Sequence, residues 1–511
     1  MKTSAPKSLI ATLALLSIGL TACSGNSDAA QDTAPAEEQT FTVAPNSFPV
    51  TLDQHSVSAE AAVFSPMQHV MQPLVVRGDN DSNEVEPGLA ASWELVDETT
   101  WKFNIHPDAE FSDGTPVTSS DAAASIKRIL EFGGGLAPLL EPITNMDTSD
   151  DKVLLIETET PVGTLLNTLS LVLIGPADQM NSEEFWNQPI GSGPFEVEDF
   201  TVDQELVLTS NEDWWGDEDI ALDEIIFRSM PEQSSRLSAL ANNEVDLVTG
   251  ITADATGEVE AMNGVEFETI PSMGYRKLWF NSSVEPFTDP NVRRAMWHAV
   301  DVENIVKDLF GEDATVAKAP IPQTAFGAPE LEQYEYDPEY AKELLTEAGY
   351  PDGFEVSIQY TDGDGTPDSQ LAQAFISAWD EIGVTVNAEP KERAVFLEDF
   401  GNGDFDMNLM GNSVATGDAD YTLGRLYLCA DERNGYCNEE LDDLLNQAKA
   451  ELDQDVREDL YHEASEIIWD EAVGIFPMDS TEAYAYGDHV EGLEMDAAAR
   501  HDYFSVSINE Q

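Results

Sequence analysis

The chain has 511 residues, 42% of them hydrophobic, and carries 99 acidic against 23 basic residues for a formal net charge of −76. That length asks for two or three domains, and that apolar content excludes low-complexity disorder as the source of the charge. Nucleic acid is excluded as a partner, because so few cations cannot neutralise phosphates amid so many acids. The acids are spread along the chain, as 331–347 and 450–471 show. They read as a solvated acidic surface suited to high salt, rather than as a local patch for a cationic ligand or a calcium-loaded surface.

At the N-terminus, Lys2 and Lys7 precede an apolar run, 9–20, that is shorter than an ordinary membrane span. This is the pattern of a secretory leader over 1–22. Leu20-Thr21-Ala22-Cys23 resembles a lipobox. It implies that Cys23 is lipidated and anchors the mature chain to the cell membrane on its extracytoplasmic side, at the cell surface or in a periplasm. Residues 24–40 hold no large apolar side chain, so 23–40 reads as a flexible tether. The two remaining cysteines, Cys429 and Cys437, flank a short turn. Outside the membrane a disulfide suits them, with half of a metal site as the alternative.

Further along, 41–52 reads as a strand and 59–71 as a helix broken or restarted at Pro66. Trp93-Glu94-Leu95-Val96 and Trp101-Lys102-Phe103-Asn104-Ile105 alternate apolar and polar residues across the turn 97–100. They predict an antiparallel hairpin with one buried face. In Ser112-Asp113-Gly114-Thr115, Gly114 can take positive φ. Ser119 or Ser120 then caps a helix of roughly two turns through Arg128, with Asp121 at its positive end. Gly133-Gly134-Gly135 lacks the rest of a phosphate loop and is a plain loop. A strand over 152–157 and a helix over 161–170 opened by Pro161 follow. Pro189-Ile190-Gly191-Ser192-Gly193-Pro194-Phe195 packs two prolines and two glycines into a tight crossover between domains. Strand 222–227, helix 234–240 and strand 244–247 form an α/β unit. Asp289, Asp301 and Asp337 each cap a helix, with Pro290 and Pro338 at the first helical positions and Gly311 and Gly349 past the ends of the latter two. Strand 354–360, helix 371–382 and strand 384–388 repeat the alternation.

Several of these segments carry a resemblance. Pro87-Gly88-Leu89-Ala90, Ser92-Trp93, Trp101-x-Phe103 and Phe111-Ser112-Asp113-Gly114-Thr115-Pro116-Val117-Thr118 with Asp121 resemble the signature of the family 5 solute-binding proteins of ABC importers, the peptide- and nickel-binding class. Thr51-Leu52-Asp53, Gln72-Pro73-Leu74-Val75, the 189–195 crossover and Asp337-Pro338-x-x-Ala341-Lys342-x-Leu344-Leu345-x-x-Ala348-Gly349-Tyr350 extend the likeness over nearly all of the mature chain. The sequence departs from the pattern with Gln54 in place of Pro, and with His106-Pro107 where Lys or Arg is usual. The resemblance implies an α/β fold of the periplasmic-binding-protein type II, with a two-lobed cleft and three domains. Domain I would hold 41–70, 190–278 and 482–511, domain II 71–189, and domain III 279–481. It also implies a monomer that passes a solute to an ABC permease with its ATPase.

An enzyme reading finds no support. The seven histidines are scattered, and His462-Glu463 lacks the second His of a zinc helix. No G-x-S-x-G elbow occurs, and carboxylate pairs are too abundant for any to stand out. Asp362-Gly363-Asp364-Gly365 begins like a calcium loop, but Pro367 stands where that loop needs Gly, which leaves a plain loop with weak calcium binding as the alternative. No cofactor and no metal are expected.

In peptide-binding relatives a carboxylate meets the peptide's amino end from a loop that begins Gly-Trp. Here the loop runs from Met410 to Tyr421, Asn412 replaces Trp, and Val414-Ala415 fills the place of the Asp. Asp418 or Asp420 is left to meet an ammonium group, unless Asp418 only caps a helix over 421–428. Trp279, Asn281, Tyr421 and Arg425 are candidates for the cleft wall. No Arg lies in 360–370 to hold a dipeptide's carboxylate, so a longer peptide is the expected ligand. Nickel and haem would want histidines or a cationic pocket. An oligosaccharide or glycoside held partly by Asn412 is the alternative ligand, and a secreted hydrolase or a surface adhesin the alternatives of another class.

Overall fold

Among the described residues, short apolar segments rich in Val, Ile, Leu and aromatic residues pair into four sheets, the largest of eleven strands. The computed structural model describes residues 39–57, 60–78, 84–311, 314–361, 367–431 and 433–509. The leader, Cys23 and most of the tether lie outside those residues, as do Asp362 and Asp364.

In spatial order the large sheet runs Thr385–Lys391, Glu355–Thr361, Met407–Ser413, Val265–Phe280, Gly474–Gly487, Leu247–Thr249, Thr40–Ala44, Glu224–Arg228, Glu205–Ser210 and Phe195–Thr201, with Ala314–Val316 also paired to Gly474–Gly487. Parallel and antiparallel pairs mix, with helices between strands, so the fold is mixed α/β. Two long antiparallel strands, Val265–Phe280 and Gly474–Gly487, run the length of its middle. Their register slips between Pro271 and Tyr275.

Buried side chains gather into three clusters. The largest draws mainly on residues 273–478, the second on 41–227 together with 484–506, and a small one surrounds Leu237 and Val248. The long strands contribute to the first through Tyr275, Leu278 and Trp279, and to the third through Ala483 and Ala485.

Several predicted elements form as read. Asp289, Asp301 and Asp337 accept from the backbone N–H of Asn291, Asn304 and Tyr340 at 2.8, 3.2 and 2.9 Å. They start the helices Pro290–His298, Val302–Phe310 and Pro338–Glu347. Gly191 and Gly193 pass so close to the 69–70 backbone that a Cβ on either would run into the carbonyl of Val70 or His69. That is the physical content of the crossover motif.

Others differ for identifiable reasons. The first strand is only Thr40–Ala44, because Pro45 ends its ladder. The second helix starts one residue earlier than read, with Thr118 as its cap, whose N–H and hydroxyl donate to Asp121 Oδ2 at 2.8 and 2.6 Å. It runs fourteen residues, to Phe132, where Gly133 turns with φ 68°. The hairpin pairs Trp93 with Phe103 and Leu95 with Trp101. Its buried face belongs to Phe103 and Ile105, while Ala90–Asp97 is an edge strand with Leu95 and Val96 exposed. Alternation fixes pairing but not the layer above it. The 161–170 helix shrinks to Leu165–Leu169 because Gly163 lies flat against the Glu451 carbonyl. Asp53, from the Thr51-Leu52-Asp53 motif, takes a bidentate grip from Arg128 at 2.6 Å per bond. Cys429 and Cys437 are joined as a disulfide, their Cα atoms 4.5 Å apart.

Candidate functional site

The loop after the first strand carries Pro45, Asn46, Ser47 and Pro49, residues that favour irregular backbone and keep side chains short. With Glu60 and Ala61 at the start of the helix Ala61–Met67, and with Phe227, Thr249 and Tyr503, this loop bounds a cavity of about 470 Å³. Besides Tyr503, its ionisable lining is Glu60, Glu482, His501 and Arg393. His501 is oriented: its Nδ1 accepts from the Asp496 N–H at 3.1 Å, which directs Nε2 towards Glu482 at 3.8 Å. Val43, Phe227 and Tyr503 belong to the second core cluster. Arg393 opens the helix Arg393–Asn402, whose Phe400 belongs to the first. The cavity is thus lined mainly from one side, with Arg393 alone reaching it from a helix packed on the first core.

Arg393 is exposed and takes part in no ion pair among the described residues. A cation at the first position of a helix opposes the helix dipole. It is retained there at a cost, inside a cavity that also holds two carboxylates. Sequence reading missed Arg393, Glu60, Glu482 and His501. The usable signal was Arg393 itself, a cation at a helix start in a strongly acidic chain.

The structure brings Asp418, Asp420, Tyr421 and Arg425 together in one turn and a short helix. Asp418 is fully buried and paired with Arg457. It also accepts from the Asp420 N–H at 3.0 Å, which caps the Ala419–Tyr421 turn. Its charge is therefore committed inside the protein. Asp420 is 2% exposed and its Oδ1 finds no hydrogen-bond donor among the described residues. Burial pushes its carboxyl up to about 6, and the negative Asp418 adds to the effect. Arg425 lies 3.9 Å over the Tyr421 ring, donates to the Tyr421 carbonyl at 2.6 Å and reaches the Gly135 carbonyl at 3.2 Å. Tyr421 touches both large cores. The helix expected over 421–428 is only Leu423–Leu426.

The other sequence candidates make side-chain hydrogen bonds within the chain. Trp279 has no exposure and donates its indole N–H to the Tyr427 hydroxyl at 2.9 Å, so it is a core residue rather than a wall. The Asn281 amide donates to the Gly403 and Phe405 carbonyls at 3.0 and 2.9 Å, and its oxygen accepts from Ser283. Asn412, the amide behind the sugar alternative, donates to the Tyr275 hydroxyl at 3.0 Å. Among the described residues no cluster of His, Cys, Asp and Glu is arranged to hold a metal ion.

Contacts bridge the two large cores around this region. Gly163 donates its N–H to the Lys449 carbonyl at 2.9 Å and accepts from Arg457 at 2.9 Å. Gly417 lies against the Arg77 guanidinium, which pairs with Asp496 at 3.5 Å.

Comparison with known proteins matches residues 84–434 to the bacterial extracellular solute-binding proteins, family 5 Middle. The chain is 26% identical to Heme-binding protein A of Haemophilus influenzae, over 98% of each chain. It is 25% identical to the Dipeptide-binding protein of Escherichia coli, over 84% of this chain and 87% of that one. Among solved structures, DppA from Helicobacter pylori, in complex with the peptide STSA, superposes with a TM-score of 0.78 at 25% identity, covering 92% of this chain and 98% of that one. HbpA2 from Haemophilus parasuis gives a TM-score of 0.82 at 25% identity, covering 92% and 100%. A family match over most of the chain, with the same architecture over 92% of it, makes this protein a member of the family 5 extracellular solute-binding proteins.

Proposed function

We propose that the chain is the solute-capturing lipoprotein of an ABC importer, anchored through Cys23, and that it binds a short peptide in the cavity between its two large cores. The observation that carries the reading is that cavity. Its volume of about 470 Å³ suits a ligand of a few residues, and it offers Arg393 for a carboxylate with Glu60 and Glu482 for an ammonium group. The names of two relatives agree, one a dipeptide-binding protein and one seen with a bound peptide.

In this reading the two cores are the lobes, and the long strands Val265–Phe280 and Gly474–Gly487 join them at the register slip. The boundaries expected near 278 and 482 would lie close to that slip. Opening the cleft would break the Gly163–Lys449, Arg425–Gly135 and Arg77–Gly417 contacts, and a ligand bridging both lobes would favour the closed form. Tyr421 and Arg425 act at that seam. Asp418 and Asp420 shape the loop that carries them.

Isothermal titration with trialanine and with its C-terminal amide tests the assignment. The wild type is expected to bind the free acid about tenfold tighter, and Arg393→Ala to lose that preference. A preference untouched by Arg393→Ala would place the carboxylate elsewhere, and no binding of either peptide would refute the ligand class.

A further inference from the structure

Tyr275, Lys277 and Trp279 alternate onto one face of the strand Val265–Phe280, and their partners Asn412, Met410 and Asn408 on Met407–Ser413 share it. One strand further out, Gln359 stands opposite Asn408. The helix Arg393–Asn402 covers this face, its Phe400 stacked on Trp279 at 5.7 Å between ring centres. Lys277 and Gln359 are 1% exposed and Asn408 not at all. Such a position normally takes hydrocarbon side chains.

What stands here instead is a set of unanswered polar groups. Lys277 Nζ lies 3.6 Å over the Trp279 ring, and the charges it faces are the cations Arg425 and Arg433. Among the described residues no acid stands opposite it, in a chain with 99 of them. Burial accordingly holds the lysine well below its ordinary pKa. Both polar atoms of the Asn408 amide and Nε2 of Gln359 are buried without a hydrogen-bond partner among the described residues. Gln359 Oε1 is already taken by Lys391 Nζ at 2.9 Å. Each unpaired group destabilises the empty protein, so clustering them on one face needs a reason. The group offers three donors to one acceptor under a local positive field. That chemistry matches a carboxylate, which is acceptor-only and needs a cation with supporting hydrogen bonds when it leaves water. The link to the cavity runs along the chain: Lys391, bonded to Gln359, stands two residues before Arg393, which lines the cavity.

We propose that Lys277, Asn408 and Gln359 form an interior subsite of the ligand cavity, beneath the helix Arg393–Asn402, which takes the carboxylate of an acidic side chain on the bound peptide. The proposal rests on the peptide reading above and narrows it to acidic peptides. Lys277 is the charge partner, and the two amides fix the orientation of the carboxylate.

The test titrates Ala-Glu-Ala and its matched peptide Ala-Gln-Ala into the wild type and Lys277→Met, with thermal melts of both proteins in the absence of peptide. Methionine keeps the length of the side chain and removes the buried amine, so Lys277→Met should melt no lower than the wild type. The wild type should bind the Glu peptide about tenfold tighter than the Gln peptide. Lys277→Met should erase that margin by weakening the Glu peptide alone. Should the variant fold poorly, Asn408→Asp serves in its place: a resident carboxylate beside Lys277 should likewise abolish the preference. Equal binding of the two peptides by the wild type would mark a pocket filled only by water and overturn the subsite while sparing the peptide reading. A margin that survives Lys277→Met, or two affinities that fall together, would also overturn it. Failure of both peptides to bind any of the proteins would overturn the peptide reading and the subsite together.

Discussion

Single residues set the pH response of this fold. His69 is buried, stacked on Tyr503 at 5.3 Å, and bonded at Nδ1 to the Ser65 carbonyl at 2.9 Å and at Nε2 to the Tyr503 N–H at 3.0 Å. Nε2 must accept, so the ring is neutral, and burial lowers its pKa to about 4. The unfolded chain then binds the extra proton, and stability should fall as pH drops from about 6.5 to 4. Asp479 acts with the opposite sign. It is 7% exposed, receives one bond from the Gln323 N–H at 3.1 Å, and burial raises its carboxyl to about 7. Between pH 4 and 7 the folded state holds a proton that the unfolded state has released, so stability should decline with rising pH by up to about 1.4 kcal/mol per unit. Asp479→Asn should remove that decline in urea melts, matching the wild type near pH 4 and exceeding it at pH 8. Parallel pH curves for the two proteins would contradict this account. Asp418 supplies a third test. Asp418→Asn leaves Arg457 buried without its partner, and should cost on the order of 3 kcal/mol in urea unfolding. Unchanged stability with lost ligand affinity would return Asp418 to the binding site.

Among the elements, those that sequence made legible are the ones whose signals are local. A capping Asp followed by Pro located the helices at 290 and 338, because the cap and the first helical residue sit side by side in the chain. Two glycines flanked by prolines located the crossover at 189–195, and the structure shows why: the 69–70 backbone leaves no room for a side chain. Gly191→Ala should therefore destabilise the protein by roughly 2 kcal/mol or more, read as a lower urea midpoint. An unshifted midpoint would mean that the crossover has room for a methyl group beside Val70. The long strands escaped notice because their partners lie some 200 residues apart, as with Tyr275 and Asp479. The cavity escaped for the same reason: Glu60, Arg393 and His501 meet only through the fold. The loop from Met410 to Tyr421 was found, but its carboxylates turned inward. A sequence shows an Asp and not the Arg457 that claims it.

At the scale of the molecule the charge of −76 remains the dominant fact. Few cations are available to pair with so many acids, so in dilute buffer the folded chain repels itself. Raising KCl from 0.1 to about 1 M shortens the Debye length from about 10 to 3 Å, which should raise the melting temperature. A flat or falling Tm would count against a surface suited to salt. The proposed closure of two cores on a short peptide is tested by mass spectrometry of whatever is released on denaturing protein purified in high salt without refolding. Masses belonging to short peptides of mixed sequence, enriched in Asp and Glu, are the predicted result. A single sugar-like mass would contradict it and leave only the fold standing.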